Sequence, residues 1–98
     1  MEEKTAMGEH LGWCLIPPHI LGRKDLSPNQ KLLYGRINGL LGKRGYCYAW
    51  NRWLGNQLGL EGDTVSKLLK ELQDKNLLII QIIRDDKNQV TQRRIDRK

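Results

Sequence analysis

Polar and basic side chains recur at helical spacing between residues 63 and 70. They are Asp63, Ser66, Lys67 and Lys70, which fall on one side of a helix because residues three and four apart share a face. Lysine ammonium groups bind phosphate oxygens, and hydroxyl groups hydrogen-bond to phosphates and to base edges in a DNA groove. The pattern therefore indicates a surface that binds nucleic acid.

Other interpretations of this face remain open. Each lysine precedes an acidic residue by four positions, Glu71 and Asp74 respectively, so the face could instead be solvated and carry ion pairs within the helix. Thr64 and Ser66 could contact DNA or serve only the start of the helix. Phosphate or base contact is the interpretation favoured for the lysines.

Further basic residues lie outside this stretch. Arg52 falls near the predicted start of another helix, where its guanidinium and the free amides of the first turn would both meet a phosphate. The alternative for Arg52 is a simple surface charge. Four more basic residues lie on a predicted hairpin and are expected to contact phosphate, although Asp85 and Asp86 dilute the charge at its tip: Arg84, Lys87, Arg93 and Arg94.

Composition and charge agree with a polyanionic partner. The 98 residues carry a net charge of +6 and fit one domain. Residues 27–60 contain five basic residues and no acidic one, and residues 79–98 contain six basic and three acidic ones. The positive charge thus falls in two blocks. No run approaches the roughly 20 apolar residues that a membrane span needs, so no membrane partner is expected.

Patterns typical of enzymes are absent from the sequence. Cys14 and Cys47 fit neither a disulfide framework nor a zinc motif, and the only histidines are His10 and His19. There is no phosphate-binding loop and no nucleophile elbow. We therefore predict a protein that is not an enzyme, that needs no cofactor or metal, and that keeps two reduced thiols in the cytoplasm.

A first helix is predicted over residues 28–42. Ser27 and Gln30 have the spacing of a capping box, and Pro28 suits the first helical position. Apolar residues then follow at helical spacing, at Leu33, Ile37, Leu40 and Leu41.

Two shorter helices follow in a helix-turn-helix arrangement. The second begins at Asn51, whose side chain is expected to cap it, and ends at Gly59. Leu60 is expected to be buried at the elbow. The third covers residues 62–75 and buries the stripe formed by Val65, Leu68, Leu69 and Leu72. Its N-terminal half would then project, as entry into a major groove requires.

A hairpin of residues 77–83 and 90–95 is predicted after the third helix, and residues 46–49 are strand-like. The predicted fold is α+β and mainly α, a winged helix-turn-helix with a three-helix core and a C-terminal β-hairpin wing. Residues 1–12 are expected to be a flexible lead, and residues 13–98 to form the winged-helix domain.

The sequence also resembles a known family. The stretch LGLEGDTVSKLLKELQDKNLLI is similar to the winged-helix pattern of bacterial regulators and replication proteins. The upstream stretches LSPNQKLLYG and GYCYA, with the ending VTQRRI, are similar to the N-terminal domains of plasmid and bacteriophage replication initiators. The resemblance covers about residues 15–95. It implies sequence-specific binding to double-stranded DNA, most simply origin recognition, with a homodimer on repeated or palindromic sites and replication proteins as possible partners.

One departure from that pattern affects the expected reading face. Initiators of this kind usually carry Ser-Arg-Arg or a similar basic run before Thr-Val, whereas this chain has Glu61, Gly62 and Asp63. The carboxylates can cap the helix and complement its dipole, or Asp63 can accept from a cytosine amino group. They also place negative charge where phosphates are usually met.

Two further functions remain open. A small transcriptional regulator would share the fold and differ only in its target site. A winged-helix protein-interaction module would have lost DNA affinity through the acidic helix start. Trp50 and Trp53 could then face a partner, although core or subunit contact is favoured over base stacking for both.

Overall fold

A computed structural model describes residues 14–44 and 47–98. Within this part of the chain, four helices precede a two-stranded antiparallel sheet, which confirms the predicted winged helix-turn-helix class. The predicted lead over residues 1–12 lies outside the described residues. The elements, in chain order, are α1 (Pro18–Leu21), α2 (Pro28–Arg44), α3 (Asn51–Leu58), α4 (Gly62–Asp74), β1 (Leu78–Arg84) and β2 (Val90–Arg97).

The start of α2 is held by the capping box that the sequence predicts. The Ser27 amide donates to Gln30 Oε1 at 2.7 Å, and the Gln30 amide donates to Ser27 Oγ at 3.2 Å. Two amides that the helix itself cannot satisfy are thereby paired. The helix then continues to Arg44, two residues beyond the predicted end.

The hydrophobic core lies where α2, α3, α4 and the base of the hairpin meet. The apolar stripe of α4 is buried as predicted, and so are the apolar residues that recur along α2. Leu54 from α3 and Ile95 from β2 are fully buried between them. Apolar burial of this kind supplies the main favourable free energy of folding. The fully buried side chains include Ile20, Leu33, Ile37, Leu54, Leu69, Leu72, Leu78 and Ile95.

The turn between α3 and α4 depends on two glycines. Gly59 ends α3 with a φ of 71°, the left-handed conformation that glycine adopts without strain. The chain then folds back so closely that the Leu60 amide donates to the Gly55 carbonyl at 2.8 Å. A Cβ on Gly55 would overlap the Leu60 carbonyl oxygen. Leu60 itself is partly buried against the core, close to the elbow position predicted for it.

The wing is a regular hairpin with one irregularity near its tip. Leu78 pairs with Arg97, Ile80 with Ile95 and Ile82 with Arg93, and the register shifts between Ile83 and Arg84. The predicted strand over residues 46–49 is reduced to one bridge, in which Cys47 pairs with Ile95. Residues 45 and 46 lie outside the described residues, so Tyr46 is not placed.

The segment before α2 is tied to the C-terminal strand through one buried asparagine. Asn38 Nδ2 donates to the Leu15 carbonyl at 3.0 Å, and its Oδ1 accepts from Arg97 Nη1 at 2.8 Å. Leu15 also donates its amide to the Gly35 carbonyl. The extended stretch before α1 is thereby attached to α2.

Candidate nucleic-acid interface

The helix α4 separates its buried and exposed faces as its spacing predicts. Its apolar stripe is buried, while the five polar residues proposed to meet DNA are all exposed: Asp63, Thr64, Ser66, Lys67 and Lys70. The structure therefore brings these five side chains together on one helical surface. This surface begins at the first turn of α4 and points away from α2 and α3.

Acidic groups lie at the start of that surface. Glu61 occupies the N-cap position of α4 but makes no side-chain capping hydrogen bond, so the prediction that it caps the helix is wrong. Asp63 lies in the first helical turn, where a negative charge is favourable beside the positive end of the helix dipole. Both residues are exposed. Their carboxylates therefore face solvent beside Thr64.

The two lysines of α4 differ in their neighbours. Lys70 Nζ lies 3.5 Å from Asp74 Oδ2, and both side chains are largely exposed, so this pair contributes little to stability. The suggested pair between Lys67 and Glu71 is wrong, because Glu71 Oε1 instead accepts from Gln30 Nε2 at 2.7 Å. Among the described residues, Lys67 forms no salt bridge, and its charge is available to an anion.

The helix α3 starts beside the first turn of α4. A Cβ added to Gly62 would lie 4.0 Å from the Asn51 Cβ, so the two helix starts are close neighbours. Arg52 follows Asn51 and is exposed. The prediction that Asn51 caps α3 is wrong. Trp50 occupies the N-cap position, and the Asn51 side chain accepts a hydrogen bond from another residue.

Arg93 is the partner of Asn51, and its position differs from the one the sequence suggested. It was expected to reach phosphate from the wing, but only 7% of its surface is exposed. Its Nη1 donates to Asn51 Oδ1 at 2.6 Å and its Nη2 to the Ala49 carbonyl at 2.5 Å. The prediction that Arg93 contacts phosphate therefore does not fit its placement.

Arg93 also contacts an aromatic ring, and its burial has a free-energy cost because the charged guanidinium is removed from water. Its guanidinium lies over the Trp50 ring, 5.3 Å from the ring centroid. Burial lowers the pKa of Arg93, since desolvation disfavours the charged form. Its Nε is buried without a hydrogen-bond partner. A buried cation in this position links the wing to the start of α3.

A second arginine–tryptophan pair lies inside the domain. Arg36 is buried in α2, and its guanidinium lies 5.3 Å from the centroid of the Trp53 ring. Its Nε and Nη2 both donate to Gln57 Oε1, at 3.2 and 3.0 Å. Trp53 packs against the core, in agreement with the interpretation favoured for it. Trp50 differs, because 47% of it is exposed.

Sequence reasoning missed the roles of Arg36, Asn51 and Arg93. Asn51 and Arg93 are 42 residues apart in the chain, and Arg36 and Gln57 are 21 apart. No local pattern connects such pairs. Two signals were available in the sequence: two tryptophans at the start of a helix in a chain that has no phenylalanine, and the alternation that puts Arg93 and Ile95 on one side of β2.

The tip of the wing is exposed over residues 81–91. Asp85 Oδ1 accepts from the amides of Lys87 and Gln89, both at 2.9 Å, so this carboxylate shapes the turn. Arg84 Nη1 donates to the Asn88 carbonyl at 3.1 Å. Arg84 and Lys87 are exposed, as phosphate contact requires.

Arg94 lies lower on the wing and is half-buried. Its Nε donates to Asp96 Oδ2 at 3.0 Å, so its charge is partly compensated by that carboxylate. Arg94 is therefore a weaker candidate for phosphate contact than the two basic residues at the tip.

The described residues contain neither a helix able to span a membrane nor a group of side chains able to bind a metal ion. Over residues 14–44 and 47–98, no helix is long and apolar enough to cross a membrane. In the same part of the chain, no group of three or more histidine, cysteine, aspartate or glutamate side chains is arranged to hold a metal ion.

Comparison with known proteins identifies the family. The sequence model of a family described as "Helix-turn-helix domain" matches residues 24–78, which is more than half of the chain. No curated protein and no solved structure gives a significant match. The matched segment runs from the residues before α2 to the first residue of β1, and it includes the whole exposed face of α4. Such a domain supports DNA binding as the general function. The chain therefore belongs to the helix-turn-helix domain family.

Proposed function

We propose that this domain recognises a specific sequence of double-stranded DNA, with α4 in the major groove. Asp63, Thr64 and Ser66 would approach base edges from the first turns of α4, and Lys67 and Lys70 would approach bases or phosphates. Phosphate anchoring would come from Arg52 and from the wing through Arg84, Lys87 and, to a lesser degree, Arg94. No catalytic step, metal or cofactor is part of this proposal.

The observation that carries the proposal is the exposed polar face of α4. Five polar residues project from the first two turns and the middle of the helix, while the opposite stripe is fixed in the core. A helix held rigidly by one face presents the other face without a large entropic cost on binding. Lys67 forms no ion pair with any described residue, so its positive charge on that face is available to an anion.

The cellular role that we propose is origin recognition in plasmid or phage DNA replication, within the cytoplasm. Its support is the resemblance of LSPNQKLLYG and GYCYA to replication initiators. A small transcriptional regulator is an equal alternative, because the same domain and the same face would serve it. Selection of the preferred site from a random duplex library, followed by its location in the genome, separates the two roles. Two half-sites spaced by about one helical turn would further indicate binding as a homodimer.

The DNA-binding proposal is tested by the salt dependence of affinity. We expect a labelled duplex of 20–30 base pairs to bind with an affinity that falls steeply as salt rises, because each neutralised phosphate releases counterions. The variants Arg52→Gln, Lys67→Gln and Lys70→Gln should each reduce the slope of log K against log salt by about 1 where the residue contacts phosphate. Fluorescence anisotropy of the labelled duplex measures both quantities.

The matched control is Lys24→Gln, which removes one exposed lysine from the loop before α2. This variant should keep the wild-type slope. Failure of the wild-type protein to bind any duplex at low salt would contradict the proposal. Equal slopes for all four variants would contradict the assigned phosphate contacts.

The acidic start of α4 is expected to weaken DNA binding. Replacing both carboxylates in a Glu61→Gln/Asp63→Asn variant should tighten binding to a random duplex about tenfold at low salt, because like charges oppose association and salt screens them. The gain should shrink as salt rises. Anisotropy titrations at several salt concentrations check both expectations.

A selected DNA site gives the opposite expectation for the Asp63 change on its own. If Asp63 accepts from a cytosine amino group, the single change Asp63→Asn should weaken binding to that site while leaving random duplex unaffected or favoured. Unchanged affinity of the double variant Glu61→Gln/Asp63→Asn for both kinds of duplex would show that neither carboxylate lies near the DNA.

A further inference from the structure

Trp50 is held in a fixed position and yet remains open to solvent. One face of its indole lies against the Arg93 guanidinium, 5.3 Å from the ring centroid, while 47% of the residue is exposed. Arg93 is itself fixed by its hydrogen bonds to Asn51 and Ala49. The ring is therefore supported from within the domain by a buried group that cannot move freely.

The second arginine–tryptophan pair shows that packing alone does not require this exposure. The Arg36 guanidinium lies at the same distance from the Trp53 ring, and that ring packs against the core. Trp53 therefore behaves as a structural residue. In the outer pair the arginine is buried, whereas the large apolar ring is the exposed partner. An exposed, preorganised aromatic ring is typical of a contact residue.

The surroundings of Trp50 favour an anionic partner. It immediately precedes Asn51, which lies close to Gly62 in the first turn of α4, and the next residue, Arg52, is exposed. Residues 27–60, in which it lies, carry five basic residues and no acidic one, although Glu61 and Asp63 follow at the start of α4. A ring in this position lies beside the helix that is proposed to enter the groove.

We propose that the exposed side of the Trp50 indole packs against the sugar–phosphate backbone of double-stranded DNA, at the edge of the groove that α4 occupies. This inference rests on the proposed DNA-binding function and adds an apolar contact to it. Arg93 is then a positioning residue, which holds the ring in place without touching DNA. Because the backbone is the same for every base pair, the contact contributes affinity and no sequence preference.

The test compares Trp50→Ala with Trp50→Phe and with a matched control. The control is Leu32→Ala, which removes another apolar side chain of similar exposure, 42%, from the outer surface of α2. Duplex binding is measured by fluorescence anisotropy at several salt concentrations, on a selected site and on random duplex. Thermal denaturation of each variant shows that it is folded at the temperature of the titrations.

The expected result has three parts. Trp50→Ala should bind both duplexes about tenfold more weakly, because about 50 Å² of indole surface would no longer be buried on binding. Trp50→Phe should lose less, and Leu32→Ala nothing. The slope of log K against log salt should equal that of the wild-type protein for all three variants, because an uncharged ring neutralises no phosphate.

A second measurement follows tryptophan fluorescence in the wild-type protein and in Trp50→Phe, each with and without duplex DNA. Duplex DNA should protect part of the tryptophan fluorescence from acrylamide quenching, and this protection should disappear in Trp50→Phe. The inference is overturned if Trp50→Ala binds within twofold of wild type, if its salt slope falls, or if bound duplex leaves the quenching unchanged. Each of these outcomes leaves the DNA-binding proposal intact, whereas absence of duplex binding by the wild-type protein overturns both.

Discussion

Replacing Gly55 with alanine should lower the free energy of unfolding by about 2–3 kcal/mol, although alanine is the better helix former. The added Cβ would overlap the Leu60 carbonyl oxygen and crowd the Leu60 carbonyl carbon. Both partners are main-chain atoms, so no side-chain rotation can relieve the overlap. The hydrogen bond from the Leu60 amide to the Gly55 carbonyl fixes the same two segments together. The overlap can therefore be removed only if the turn opens and α4 shifts against α3.

Urea denaturation followed by circular dichroism measures this change. Gly42→Ala is the matched control, because a Cβ there meets only the Leu15 Cδ1 atom at 4.0 Å. That position is exposed within α2, and the substitution should stabilise the protein by up to about 1 kcal/mol. Equal effects of the two substitutions would show that Gly55 in α3 does not pack closely against the Leu60 carbonyl in the turn. If the turn opens, Gly55→Ala should also weaken DNA binding, since α4 presents the proposed contacts.

The elements of this fold were predicted where local chemistry determines them. The capping box of Ser27 and Gln30, the left-handed Gly59 and the apolar stripe of α4 all act between residues a few positions apart. Their patterns are therefore visible in the sequence alone. The predicted bounds of the three helices differ from the observed ones by no more than two residues at either end.

The predictions were wrong where a residue distant in the sequence takes the hydrogen-bonding partner that a local pattern had assigned. Asn51 has the chemistry of a helix cap, but the Arg93 guanidinium takes its Oδ1. Glu71 is spaced to pair with Lys67, but Gln30 from α2 donates to it instead. A long-range donor cannot be identified from spacing, because it depends on how the elements pack.

In the candidate site, too, the features set by nearby residues were predicted, and an error arose where the packing of the fold decides. The exposed face of α4 was predicted because the buried stripe defines its opposite side. Of the basic residues on the wing, Arg84 and Lys87 are exposed as expected, whereas Arg93 is buried. Alternation along β2 places Arg93 on the same side as the buried Ile95. The pattern was therefore present in the sequence, but a charged residue is rarely assigned to a buried face.

Removing the buried Arg93 guanidinium should also lower the stability of the protein substantially. We expect Arg93→Ala to lower the free energy of unfolding by about 2–3 kcal/mol. Each lost hydrogen bond to a charged group contributes about 1.5–3 kcal/mol to stability. Part of this loss is offset, because the variant no longer buries a charged group away from water. The Ala49 carbonyl and Asn51 Oδ1 would lose their donor. Trp50 would lose the group that lies against its ring. The wing would then be attached to the start of α3 by one fewer link.

Arg94→Ala is the control for this change, because it removes an adjacent arginine of the same strand. Arg94 is half-exposed and pairs with Asp96 at the surface, and such pairs contribute at most about 1 kcal/mol. Urea denaturation should therefore separate the two variants clearly. A third variant, Arg93→Met, keeps an apolar side chain of similar length and should recover part of the loss by removing the unpartnered Nε and the buried charge. If Arg93→Ala were no less stable than Arg94→Ala, the buried guanidinium would not hold the wing against α3, and the fixed position of Trp50 would need another cause.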